Sequence, residues 1–259
     1  MRNLFLAFLL IATSALAQEG VGGGGFTLNG PGENWNYQIT VLGGSTGGGI
    51  NSNDPTLSSA TTLTGGENDI IISACLCTDT TAPATCTQSG PSGIANLSNQ
   101  VTNGTGVGRF TVYYTVITNG NKGTGVTCTN PGSNSGGTTA TQILLRGADP
   151  VNITDATTAN ATGSSTNPNP ASITTVRDSA AVVIACGSVV SDTTPGDSTN
   201  YATATPGKQT LNQADTNPGT TTMTWRVVPA AAAEDPAAFS SWSTGTWACS
   251  TVALRPWGR

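Results

Sequence analysis

The chain has 259 residues, of which 9% are charged, with 14 Asp and Glu against 9 Lys and Arg, six cysteines and no histidine. Without histidine, Ser-His-Asp and Cys-His nucleophiles, most catalytic zinc sites and the usual proton switch near neutral pH are excluded. A net charge of −5 leaves little to neutralise a phosphate backbone or to attract an anionic membrane, which argues against nucleic-acid and membrane-surface partners.

In chain order, MRNLFLAFLLIATSALA (1–17) comes first. It has one basic residue, an apolar run over 4–11 and small residues at Ala15 and Ala17, the layout of a signal peptide cut before Gln18. The run is too short to span ~30 Å of hydrocarbon, and no later stretch is long and apolar enough to stop transfer, so no membrane insertion is expected after cleavage. The expected location is therefore secreted or cell-surface. Cleavage removes Arg2 and leaves a mature charge of −6. Residues 18–34 read as a Gly-rich lead, and 35–259 as a single domain.

Period-2 alternation then dominates. WNYQITVL (35–42) places Trp35, Tyr37, Ile39 and Val41 on one face. NDIIISACLC (68–77) and SAAVVIACGS (179–188) are apolar on both faces, as central strands covered on two sides are. RFTVYYTVI (109–117), TATQILLRGA (139–148), TTMTWRVV (221–228) and 246–254 read as further strands. GGSTGGG, TNPGSNSGG, SSTNPNPAS and DTTPGDS between them read as loops, as does 230–239, which prolines bracket. No repeat is clear enough to claim an internal duplication. The expected fold is all-β, an antiparallel two-sheet β-sandwich of jelly-roll type.

Six cysteines in an exported chain imply disulfides, and 15 connectivities are open. Cys77 and Cys86 flank a turn-rich linker that could bring them together. Cys186 and Cys249 lie in late apolar strands where a cross-strand bridge fits. Cys75 and Cys77 share a face two residues apart and are unsuited to each other. C-L-C is not zinc-ligand spacing, so no metal and no cofactor are expected.

A carboxylate pair could still hydrolyse glycosides, with Glu67, Asp69, Asp178 and Asp197 as candidates, although turn capping explains acids in such contexts. The acidic loops NSND (51–54) and DTTPGD (192–197) offer oxygen ligands without the calcium-loop spacing of an EF-hand. Asn96, Asn103, Asn152 and Asn160 begin N-x-S/T sequons. Trp225 and Trp247 lie in apolar strands and read as core. Trp242 and Tyr201 sit in polar loop contexts, where stacking on a sugar, with Asp197 beside them to bond hydroxyls, competes evenly with a core role. Trp257, at the end of the chain, is expected to cover a sheet edge.

The segments ASITTVRDSAAVVIACGSVV, TTTMTWRVVPAAAAEDPAAFSSWSTG and WACSTVALRPW, with YYTVI and RGAD (146–149) before them, resemble jelly-roll-like modules of phage virion structural proteins and bacterial secreted surface proteins. The resemblance spans about residues 60–257 and implies a noncatalytic structural or adhesive role. The signal peptide and the cysteines depart from the virion context and suit an exported subunit. The leading expectation is thus a noncatalytic exported structural or adhesive protein, a subunit of an extracellular fibre or surface assembly, that self-associates. The alternatives are a module binding surface glycans and a carboxylate-pair glycosidase.

Overall fold

The two segments that are apolar on both faces become the central strands of two five-stranded sheets, and the rest of the fold covers the four faces this creates. A computed structural model describes residues 38–50, 56–57, 65–79, 86–102, 107–123, 125–130, 137–190, 198, 201, 209–212 and 219–258. Its strands are β1 (Thr40–Ile50), β2 (Thr56–Leu57), β3 (Ile70–Asp79), β4 (Thr87–Ser89), β5 (Ala95–Thr102), β6 (Val107–Val116), β7 (Val126–Thr129) and β8 (Gly137–Arg146) in the first half. The second half contributes β9 (Ala159–Ser165), β10 (Ile173–Thr174), β11 (Ala180–Ser188), β12 (Gln209–Asn212), β13 (Thr220–Val228), β14 (Ala233–Glu234) and β15 (Gly245–Leu254). No helix occurs among the described residues. The protein is all-β, with every sheet antiparallel and two large sheets packed face to face.

The first sheet runs β1-β8-β3-β6-β5 and the second, read from its far edge, β9-β15-β11-β13-β12. Numbering the five strands of each half in chain order, both sheets are ordered first, fifth, second, fourth, third. The structure thus contains the internal repeat that the sequence does not reveal. Registers agree as well: Cys75 lies opposite Thr111 and Ala140, and Cys186 lies opposite Thr222 and Cys249. The same spacing of 111 residues separates Cys75 from Cys186, Thr111 from Thr222, and the paired positions Asn99 and Thr210. It also separates Asn68 and Ser179, the two residues just ahead of the central strands that take positive φ, 71° and 63°.

This topology corrects the jelly-roll expectation. A jelly roll passes the chain back and forth between its two sheets, whereas here each sheet is drawn from one contiguous half of the chain. GGSTGGG, expected as a loop, belongs to β1 and pairs residue by residue with β8. Backbone pairing does not require side chains, so a glycine run can be a strand when its neighbour holds it. Residues 35–37 of the first expected strand lie outside the described residues.

Between the sheets lies one core. Ile70, Ile72, Ala74 and Leu76 of β3 meet Ala181, Val183 and Ala185 of β11, with Phe110, Val112, Ile143, Leu145, Met223, Trp225, Val252 and Leu254 around them. One edge of the interface is polar. Gln100 Nε2 donates to Cys249 O at 2.8 Å and Ser250 Oγ at 2.7 Å, Ser250 Oγ to Ser98 Oγ at 2.8 Å, and Ser98 Oγ to Asn160 Oδ1 at 2.8 Å. The four side chains of this series thus bond to one another or to the backbone, as buried polar groups generally do.

Each sheet is also covered outside. The small sheet β2-β7-β4 covers the first, fixed by Cys75–Cys128 and Cys77–Cys86. Residues 166–178 and 229–244, with the β10-β14 ribbon, cover the second around Cys186–Cys249. Two of these pairs are those with a sequence argument. The third forms because the position opposite Cys75 on β8 is Ala140, whereas its counterpart opposite Cys186 is Cys249.

Gly187 tests how tightly the sheets interlock. A Cβ there would lie 2.6 Å from Cδ2 and 2.9 Å from Cε2 of Phe110, inside a core that tolerates little added volume. Gly187→Ala is expected to destabilise the protein by about 1–3 kcal/mol, measured as a lowered denaturant midpoint with disulfides intact. An unchanged midpoint would show that the interface is loose at this point.

Candidate functional site

The aromatic residues expected to stack on a sugar lie inside the protein. Trp242 is 3% exposed and Tyr201 2% exposed. Both belong to the second core, with Ile173, Val182, Ile184, Phe239, Trp247 and the Cys186–Cys249 pair. Trp242 meets Phe239 edge to face at 5.8 Å between centroids, and its backbone N–H donates to Thr166 O. The glycan-stacking assignment of Trp242 and Tyr201 is therefore corrected: the outer face of β11 and β15 is itself apolar, and these rings are what cover it. Asp197, the third member of that set, lies outside the described residues.

Trp247 and Trp225 are buried, as expected of core residues. Trp247 lies over Gly163, where a Cβ would come within 2.4 Å of the indole, and donates from Nε1 to Ser165 Oγ at 3.0 Å. Trp257 is 43% exposed, and its backbone N–H donates to Gly147 O, so this segment is tied to the end of β8 while much of the indole meets solvent.

Under the second sheet's cover sits a buried polar constellation. Tyr201 donates its hydroxyl to Glu234 Oε2 at 2.6 Å, Arg226 donates to the same oxygen, and the Arg226 guanidinium lies 4.8 Å from the Tyr201 ring centroid. Glu234 is nearly buried, and two charge-assisted bonds with the cation above the ring compensate its desolvation. Burial pushes the Tyr201 hydroxyl well above its ordinary range, and the bond to Glu234 and that carboxylate's charge add to the shift against the opposing effect of Arg226. Sequence reasoning misses Glu234 and Arg226 because one stands in an alanine run and the other in a strand, and only the chain's return at Ala233–Glu234 brings them together.

Of the acids considered for catalysis, the three that are described, Glu67, Asp69 and Asp178, each have a hydrogen-bond partner. Asp69 is buried, accepts from Arg146 at 3.0 Å and 2.8 Å, and accepts from Gly66 N at 2.5 Å. Glu67 accepts from Asn119, and Asp178 accepts from Ala231 N. Asp149 and Asp155, which the sequence does not single out, hold the junction between the two halves. Asp149 accepts from Val151 N, Asn152 N and Asn152 Nδ2 and pairs with Arg255, while Asp155 accepts from Val176 N and Arg177 N. For Asp149, desolvation pushes the carboxyl upward, but the Asn152 and Val151 bonds and Arg255 outweigh it and hold it below the ordinary range. Among the described residues no group of three His, Cys, Asp or Glu could hold a metal ion. Residues 51–55 and 191–197, which include both candidate calcium loops, lie outside them.

The chain matches no family model, no curated protein and no solved structure.

Two substitutions test this assignment. Trp242→Ala is expected to cost about 3–5 kcal/mol of stability, the loss for a buried aromatic; a neutral outcome would return Trp242 to the surface. Tyr201→Phe removes a bond to a charged group, worth about 1.5–3 kcal/mol. Because the folded-state value for Tyr201 is raised, its contribution is complete below the unfolded tyrosine range near pH ~10 and is lost as pH rises above it. Wild-type stability should therefore fall more steeply than that of Tyr201→Phe in alkaline titration, and parallel profiles would overturn the Tyr201–Glu234 assignment.

Proposed function

We propose that the protein is a noncatalytic, exported structural or adhesive module that forms part of a surface assembly. The observation that carries this reading is the covering of both sheets on both faces, with a disulfide tying strand to strand or strand to cover on each sheet. Bridges closing sequence separations of 53 and 63 residues each stabilise by roughly 4 kcal/mol on chain-entropy grounds. Such a design favours persistence in an oxidising environment, where disulfides form, and the signal-like 1–17 segment agrees with delivery there. The resemblance to virion and secreted surface modules points the same way. The aromatic residues on which a glycan site would draw, and the acids on which a glycosidase would draw, have structural partners wherever they are described, so neither alternative gains support.

The test is the assembly state of the exported protein under non-reducing conditions, by light scattering after size exclusion and by intact mass. Three bridges predict a chain six hydrogens lighter than its reduced mass. A structural subunit is expected to form assemblies larger than a dimer, weakened by deleting residues 18–30 if the Gly-rich lead adds as a strand to a neighbour. A protein that never exceeds a dimer would sink the fibre-subunit role.

A further inference from the structure

The edges of the first sheet are β1 and β5, and those of the second are β9 and β12. An unpaired edge invites another strand, and natural sheets blunt their edges with bulges, shortness, charge or proline. β1 is irregular between Val41 and Gly43, β5 between Asn96 and Ser98, and β12 is four residues long. β9 has none of these protections. Its seven residues, ANATGSS, pair with β15 in unbroken register and contain neither a charge nor a proline.

The disulfide pair shows which backbone groups of β9 face away from β15. Cys186 and Cys249 face each other with Cα atoms 4.1 Å apart, the short separation of a non-hydrogen-bonded antiparallel pair. The N–H and C=O of Cys249 therefore turn to its other neighbour, Ala161 of β9. By alternation Ala159, Ala161, Gly163 and Ser165 bond to β15, while Asn160, Thr162 and Ser164 direct their backbone groups outward. These three residues are exposed, and among the described residues no backbone hydrogen bond is made on that side.

We propose that β9 pairs antiparallel with β9 of a second copy of this chain, about a twofold axis at Thr162, so that the second sheets of the two copies become continuous. Charge and shape select this occupant. The chain is acidic overall, so copies repel over much of their surface, and β9 is a strip without charge on which they can meet. The twofold sets Thr162 against Thr162 and Asn160 against Ser164, small polar side chains with no like charges opposed. β9 is also prepared for pairing: Trp247 covers Gly163 and bonds Ser165, and Ser98 holds Asn160. A strand already fixed loses little further freedom on association. The pairing goes beyond the structural role proposed above and does not depend on it.

The experiment is light scattering on the full exported protein, disulfides intact, over a dilution series. Wild type should be dimeric or larger. Thr162→Lys and Thr162→Glu, each placing like charges across the axis at an exposed position, should raise the dissociation constant of this contact roughly tenfold or more, and mixing the two variants should restore it. Thr162→Arg and Thr162→Asp, which set the same like charges across the axis, serve as second variants should either fail to fold. A wild-type monomer throughout, association indifferent to these charges, or no recovery on mixing would each overturn the pairing. Assembly lost on deleting residues 18–30 yet unaffected by Thr162→Lys would overturn it while leaving the structural role intact.

Discussion

The fold depends on one contact, the meeting of equivalent faces of two sheets with the same strand order. In a symmetric pair the same side chain would stand at both equivalent positions. Here the positions have diverged in opposite directions. Ile70, Ile72 and Leu76 of β3 correspond to Ala181, Val183 and Gly187 of β11, while Val112 and Tyr114 of β6 correspond to the bulkier Met223 and Trp225 of β13. Phe110 fills the space left at Gly187, and Leu76 reaches to Gly219, where a Cβ would lie 3.0 Å from its Cδ2. Large and small residues thus interlock across the interface, which close packing favours over two identical surfaces. A fused repeat can make that exchange, because each half is free to vary on its own.

That divergence also explains what the sequence concealed. Ala74-Cys75 recurs as Ala185-Cys186, Gly108 as Gly219, Thr111 as Thr222 and Val116 as Val227, but these identities are scattered among positions that had to differ if the halves were to fit. Continuous apolar runs still located β3 and β11, and the alternating pattern β6, β8, β13 and β15, because those strands bury side chains and burial leaves a pattern. These signals missed β5 and β9, edge strands of Asn, Ser, Ala and Thr, and they took the glycines of β1 for a loop. Edge strands are held by a neighbour's backbone, so their side chains carry little record of the pairing. The jelly-roll expectation failed for a related reason: strand content is legible in alternation, whereas the order in which strands meet is not.

The candidate site shows the same limit from the other side. Tyr201 and Trp242 stand among Ser, Thr, Asn and Gly, and polar neighbours argue for a surface. Yet a central strand such as β11, apolar on both faces, needs cover on each, and the nearest aromatic residues in the loops supply it. Trp242 with Phe239, and Tyr201 with its hydroxyl satisfied by Glu234, are what that requirement produces. The sequence stated the requirement at 179–188. It did not say which loop would meet it.

The two halves meet this requirement differently, and the difference follows from single residues. In the first half Ala140 faces Cys75, so that cysteine reaches outward to Cys128, and the cover becomes a small sheet fastened by two bridges. In the second half Cys249 faces Cys186, so the bridge closes within the sheet, and the cover is held by Trp242, Phe239 and the Tyr201–Glu234–Arg226 cluster. The first cover depends on covalent bonds and the second on apolar packing and one buried carboxylate. Reduction should therefore loosen the first cover before the second, because losing the bridge inside the second sheet leaves the ladder of β11 with β15 and the aromatic packing above it in place. The two covers of the duplicated fold thus rest on different forces.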